Sequence, residues 1–269
     1  MSPSFALPDT ASLNDLRTYL GRAARVEDGS VRLIAGAGVL AVYTAVLYPA
    51  GLLDEVPTVL GLRTFELTEA VSFDAVVPIE SFAERLRIVA ERLDDSAGDD
   101  SAGDDSVGDD IDGHGDDGDD GDDEDAHTAD DDLPEDPATP AHGIVIELPL
   151  QVNTVTWAAI SPPRGGWVPL PDLDVTVLRD QARVGIAEVA ETVPTASGDA
   201  VVRRVRSEVW GRPIAQSEHV PAGAAFAAES LGFLRDGDRV RLFETGPWSR
   251  LTTTRGHVLV KRRAWSLSR

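Results

Sequence analysis

The sequence predicts an α+β protein: an N-terminal helix plus antiparallel strands, a disordered acidic insertion, then C-terminal helices plus strands. Three observations carry this. Apolar residues recur at helical spacing in five segments. β-branched runs bounded by Gly and Pro separate them. Between Asp94 and Asp136 there are 22 acidic residues and no Lys or Arg.

Leu13, Leu16, Leu20 and Ala24 place a helix over Ser12–Arg25, with Thr10 or Ser12 as its N-cap. Strands are expected at Ser30–Ala35, Val39–Leu47, Thr58–Leu67 and Val71–Ile79, then a helix over Glu80–Asp94. Beyond the insertion, Gly143–Leu148 and Asn153–Ile160 read as strands and Ser161–Trp167 as a loop. Helices follow at Leu173–Val193, from a Ser197 cap to Trp210, and from Pro221 in a first turn to Leu234. Strands at Arg239–Glu244 and His257–Arg262, with a short one at Arg250–Thr254, end the chain. This gives an N-terminal α+β unit over 1–93, a disordered polyacidic linker over 94–141 and a C-terminal α+β unit over 142–269.

The chain has 269 residues, 24 Lys+Arg against 47 Asp+Glu, and a net charge of −23. Without the acidic stretch, 25 acidic residues face 24 basic ones, so the remainder is nearly neutral and a halophilic surface is excluded. The stretch repeats Ser-Ala-Gly-Asp-Asp at 96–100 and 101–105 and holds too few apolar side chains to offset the entropy of ordering it. It is expected to be a solubilising linker, with transient contact to the arginines of the second half. Cysteine is absent, which excludes disulfides and thiolate chemistry and fits a reducing cytoplasm.

A second feature is internal. Glu27-Asp28-Gly29 leads from a helix into Val31-Arg32-Leu33, and Asp236-Gly237 leads from another into Val240-Arg241-Leu242. If this is a duplication, the two units are pseudo-symmetric partners in one sheet system.

Several motifs invite a chemical reading. Gly36-Ala37-Gly38-Val39-Leu40-Ala41 has the G-x-G-x-x-A shape of a dinucleotide fingerprint, but β-branched and aromatic residues follow where a helix is required. A glycine hairpin is the stronger reading, and no cofactor is expected. Leu33–Leu53 runs 21 residues without a charge, long enough to span a membrane. Its two internal glycines, Pro49 and Gly51 favour buried strands instead. No register of the acidic stretch meets an EF-hand, and no metal site is expected. The five histidines form no H-x-H or H-E-x-x-H pair, and neither a G-x-S-x-G elbow nor a P-loop occurs, so no catalytic residue is assigned.

The remaining candidate is a ligand site from Arg164, Gly165, Gly166 and Trp167 with Arg255 and His257. Arg164 is a bidentate donor for an anion, Gly165-Gly166 exposes backbone N–H groups, and Trp167 supplies an aromatic wall. The bland alternative is a tight connection whose Trp rings pack in the core. Arg203, Arg204 and Arg206 share a helix, and Lys261, Arg262, Arg263 and Arg269 mark the C-terminal tail, but no nucleic-acid-binding motif accompanies them.

The run from Trp157 through Trp167, together with Gly256-His257-Val258-Leu259-Val260, resembles a group of conserved hypothetical actinobacterial proteins of unknown function. The resemblance implies a soluble cytoplasmic protein in which 94–136 is a dispensable insertion, and it brings no activity. Two expectations result: a non-enzymatic interaction or regulatory protein with a protein partner, or an enzyme or small-ligand or anion-binding protein with an Arg/Trp/His-lined pocket in the C-terminal unit.

Overall fold

In the computed structural model the structure describes residues 3–99, 143–149, 155–194 and 197–262, apart from positions 28, 50, 52, 53 and 55. The acidic linker from residue 100 onward, His114, His127, His142, Arg263 and Arg269 lie outside the described residues.

The chain order is β1 (Ser4–Leu7), α1 (Thr10–Val26), β2 (Ser30–Gly36), β3 (Val39–Leu47), β4 (Thr58–Glu66), β5 (Phe73–Pro78) and α2 (Ile79–Asp99). Then come β6 (Ile144–Glu147), a 3₁₀ turn (Thr156–Ala159), β7 (Val168–Leu173), α3 (Val175–Thr192), α4 (Asp199–Gly211), β8 (Pro213–Ile214) and β9 (Ser217–Pro221). The chain continues through α5 (Ala222–Ser230), β10 (Val240–Thr245), β11 (Trp248–Thr252) and β12 (His257–Lys261). This is the α+β class expected.

Eight strands form one antiparallel sheet in the order β5-β2-β3-β4-β12-β11-β10-β7. The expected N- and C-terminal units meet in it, because β4 pairs with β12 along five residues. Each half is a three-strand meander with one further strand outside it. The meanders are entered from α1 and from α5, the two helices that precede the Val-Arg-Leu runs. In both, Val and Leu are buried and Arg points the other way. The register relates the halves by a two-fold through the Leu62–His257 pair at the β4–β12 seam.

The five α-helices of the described residues lie on one face, and their apolar sides form the main core with Val31, Leu33, Val42, Val59, Val240, Leu242, Leu251, Val258 and Val260. Tyr19 of α1 stacks on Phe233 and bonds Thr44 Oγ1 at 2.9 Å, tying the helix layer to β3. Gly61 in β4 makes this approach possible, since a Cβ there would meet Leu231, Thr44 and Tyr19. Trp210 of α4 stacks on Phe226 of α5 and lies against Gly185 of α3.

Several boundaries differ from expectation for local reasons. Asp9, not Thr10 or Ser12, caps α1, because its extended backbone lets Oδ1 accept the Ser12 N–H at 2.6 Å. Gly198 caps α4, since the Ser197 hydroxyl is turned back to the Pro194 carbonyl. Pro221 is the N-cap of α5 rather than a first-turn residue, and α5 ends at Ser230. α2 continues to Asp99, beyond the expected end at Asp94. Within the strand expected at Asn153–Ile160, Thr156–Ala159 forms a 3₁₀ turn. Leu173, expected to open a helix, ends β7, and Asp174 caps α3 by accepting the Thr176 and Val177 N–H groups.

The Gly36-Ala37-Gly38 motif is a hairpin turn. Ala37 and Gly38 both have positive φ, 52° and 75°, as a two-residue type I′ turn requires. Leu33–Leu47 therefore lies in β2 and β3, and among the described residues no helix is long and apolar enough to cross a membrane.

Candidate functional site

Strand alternation fixes which side chains of β10, β11 and β12 face away from the helices. The register places Arg241, Phe243 and Thr245 beside Thr252, Arg250 and Trp248, and these beside His257, Leu259 and Lys261. Three cations and a histidine occupy these nine positions, and no carboxylate does. The single acid in the strands, Glu244, points to the helical side.

Part of this outer face is covered by residues 155–167. Trp157 and Ala158 of the 3₁₀ turn pack with Ala45, Leu60, Trp248 and Leu259, and Ile160 and Trp167 join at the margin. The loop is closed by the Trp167 indole N–H, which donates to the Pro163 carbonyl at 3.2 Å. Gly166, at φ 77°, makes the turn before β7 and lies beside Thr245.

Arg250 is the centre of the exposed part. Its guanidinium lies 4.5 Å from the Trp167 ring centroid and 4.7 Å from that of Phe243. Its Nε is buried without a hydrogen-bond partner, and among the described residues no carboxylate pairs with it. Arg241 lies 5.5 Å from the same Phe243 ring and likewise has no acid partner among the described residues. Burial, reinforced by the Arg241 charge, lowers the pKa of Arg250.

His257 completes the cluster. Its Nδ1 is 3.1 Å from Thr252 Oγ1. Burial, with Arg250 and Arg241 adding like charge, brings its pKa down from 6.5 to about 4, so the ring is neutral near pH 7. A neutral ring beside two unpaired guanidiniums can accept or donate one hydrogen bond without adding charge.

The other half shows what compensation looks like. Arg32, the counterpart of Arg241 in β2, is gripped by Asp74 through Nε at 2.8 Å and Nη2 at 2.6 Å, and also donates to Ser161 Oγ at 3.1 Å. Pro169 of β7 stands opposite Phe243 as Asp74 of β5 stands opposite Ile34. The place of the neutralising carboxylate is thus taken by a proline.

Of the residues singled out from sequence, Trp167 and His257 belong to this cluster, and Gly166 shapes its edge. Arg164 is exposed on the same side, close enough for its charge to act on Tyr43, and no atom lies near Gly165 on its side-chain side. Arg255 is elsewhere: it sits in the β11–β12 turn and reaches the Gly232 carbonyl behind α5. Sequence reading missed Arg241, Phe243 and Arg250. The available signal was period-two alternation in Val240–Thr245 and Trp248–Thr252, which sets these three residues on one side.

Two other polar groupings lie elsewhere in the fold. Ser249, fully buried, lies 3.2 Å from Glu244 Oε1 and 3.4 Å from the His219 carbonyl, while His219 Nδ1 is 2.7 Å from the same carboxylate oxygen. The serine hydroxyl does not meet the imidazole, so this is a partly buried polar network and not a nucleophile–base pair. A cleft of about 230 Å³ lies between Tyr48, Thr156, Arg203, Arg206, Ser207, Glu27 and Asp54. There Arg206 donates to the Val26 carbonyl and stands 3.9 Å from Glu27, so its charge is already met.

Residues 1–103 match the family described as Domain of unknown function (DUF8010), and residues 162–265 match Domain of unknown function (DUF8185). This agrees with the resemblance drawn from Trp157–Trp167 and Gly256–Val260 to proteins of unknown function. No curated protein matches the chain. The DUF8010 region supplies β5-β2-β3-β4 and the DUF8185 region β12-β11-β10-β7, so each contributes one half of the sheet. The cationic cluster lies wholly within the DUF8185 region.

Proposed function

We propose that this chain is a non-enzymatic interaction or regulatory protein that binds an anionic ligand or partner on the outer face of its C-terminal half. One observation carries the reading: Arg250 is partly buried against Trp167 and Phe243, with an unpartnered Nε and no acid beside it among the described residues. Removing charge from water without a counter-ion is costly, so a ligand that brings the missing negative charge is favoured there. Arg241 adds a second guanidinium without an acid partner among the described residues, and Arg164 lies exposed near the same face. A cytoplasmic setting fits the absence of cysteine.

The cluster favours holding over chemistry. Guanidiniums stay protonated and do not transfer protons at neutral pH, and His257 is engaged with Thr252. The test is a ¹⁵N-resolved titration of the full chain with polyglutamate, following the Trp167 indole and arginine Nε signals. The reading expects the largest shifts at Trp167, Arg241 and Arg250. Largest shifts on α3 or α4, or none anywhere, would overturn it.

A further inference from the structure

Resting on that reading, we infer that the group this face accepts is a phosphomonoester dianion, held jointly by Arg250 and Arg241. Both guanidiniums lie against one ring, Phe243, at 4.7 and 5.5 Å from its centroid, and the charge of Arg241 acts on Arg250. They stand on adjacent strands as diagonal neighbours, the spacing over which long side chains interact across a sheet.

With the guanidiniums against aromatic rings and Arg250 Nε itself buried, recognition falls to the terminal Nη donors of the two arginines. Donors in that geometry match oxygens presented in a fork, as carboxylates and phosphates present them. The number of charges decides between the two. One carboxylate brings a single negative charge and two oxygens, enough for one guanidinium. A phosphomonoester near pH 7 brings a charge close to −2 and three terminal oxygens, enough to meet both. Arg32 gives the internal comparison: one arginine in the equivalent place is satisfied by one aspartate.

The buried Thr252 and the neutral His257, bonded to each other, lie in the same row as Arg241 and add no competing charge. The shared chemistry has two sources, a small phosphorylated metabolite or a phosphorylated side chain on a partner, and the probes below separate them.

The experiment is calorimetric titration of the full chain at fixed ionic strength with ribose 5-phosphate, a phosphoserine peptide and the same peptide carrying glutamate. At least one phosphate probe is expected to bind about tenfold or more tightly than the glutamate peptide, a difference near 1.4 kcal/mol. Whichever phosphate probe is tighter identifies the source. Arg241→Gln, at an exposed position, is expected to remove that preference without affecting folding; Arg250→Gln, which also gives up its two ring contacts, is expected to remove the preference with some loss of stability. Arg183→Ala on α3 should leave binding unchanged. Equal binding of the phosphoserine and glutamate peptides, with ribose 5-phosphate no tighter, would overturn the phosphate inference and leave the anion reading standing. Absence of binding by all three probes would sink both.

Discussion

Arg32 and Arg241 occupy the same position in the two halves of the sheet, yet among the described residues only Arg32 has a carboxylate partner. Asp74 holds Arg32 bidentately, whereas Pro169 stands in the corresponding place beside Arg241. The two meanders share a register and differ in how charge is settled. That difference creates the candidate site.

The comparison can be turned into a substitution. Pro169→Asp should supply Arg241 with the partner that Arg32 already has. Polyglutamate binding should weaken about three- to tenfold, in line with about 1 kcal/mol for a partly exposed arginine–carboxylate pair. Titration of this variant beside the wild type checks it, and unchanged affinity would count against Arg241 as a binding group.

Trp167 shields Arg250 and closes the 161–167 loop. Trp167→Ala removes one cation–π contact and apolar packing against the outer cluster, so unfolding stability should fall by about 1 to 3 kcal/mol. Urea unfolding measures this. A loss near zero would place the ring outside the folded packing.

His257 gives a pH dependence with a definite sign. Its pKa lies near 4 in the folded protein, depressed by burial and by the facing charges of Arg250 and Arg241, against 6.5 in the unfolded chain. Between those values the unfolded chain binds a proton that the folded protein does not. Stability therefore falls as pH drops from about 6.5 toward 4, and the contribution is absent above 6.5. The expected size is about 2 to 3 kcal/mol at the acid end. His257→Leu, beside Leu62, should flatten this part of the profile. An equal slope in wild type and variant would contradict the environment assigned to the ring.

Gly185 in α3 faces the Trp210 ring, and a methyl group there would enter it. Gly185→Ala should cost about 1 to 3 kcal/mol despite the higher helix propensity of alanine. Thermal unfolding would show a lowered midpoint, and a raised one would mean that α3 and α4 can separate without penalty.

The helices were legible in the sequence because Leu13, Leu16 and Leu20, or Phe82, Leu86 and Val89, repeat at a spacing only a helix turns to one side. The Asp-Gly and Val-Arg-Leu echo pointed to paired units in one sheet, and the meanders stand in that relation. β7 was hidden by Pro169 and Pro171, which suit an edge strand but weaken a strand pattern. β1 was hidden by its four-residue length.

The site was half legible for a related reason. Trp167 and His257 stand out by residue type, but Arg250 acquires meaning only from β10 and β7 beside it. Arg255 lies two residues from His257 in sequence and on a different side of the structure, because the β11–β12 turn directs it toward α5. Strand register is a long-range property, and single-sequence spacing does not contain it.

If Arg241 and Arg250 form an anion site, phosphate must stabilise the folded chain through these two side chains. Thermal midpoints of the wild type and of the Arg241→Gln/Arg250→Gln double variant would be recorded as phosphate replaces chloride at constant ionic strength. A ligand that binds only the folded state raises the midpoint in proportion to occupancy, whereas general salt effects act on both proteins alike. The account predicts a rise in the wild type that exceeds the rise in the variant and saturates with phosphate. Parallel curves for the two proteins would contradict it.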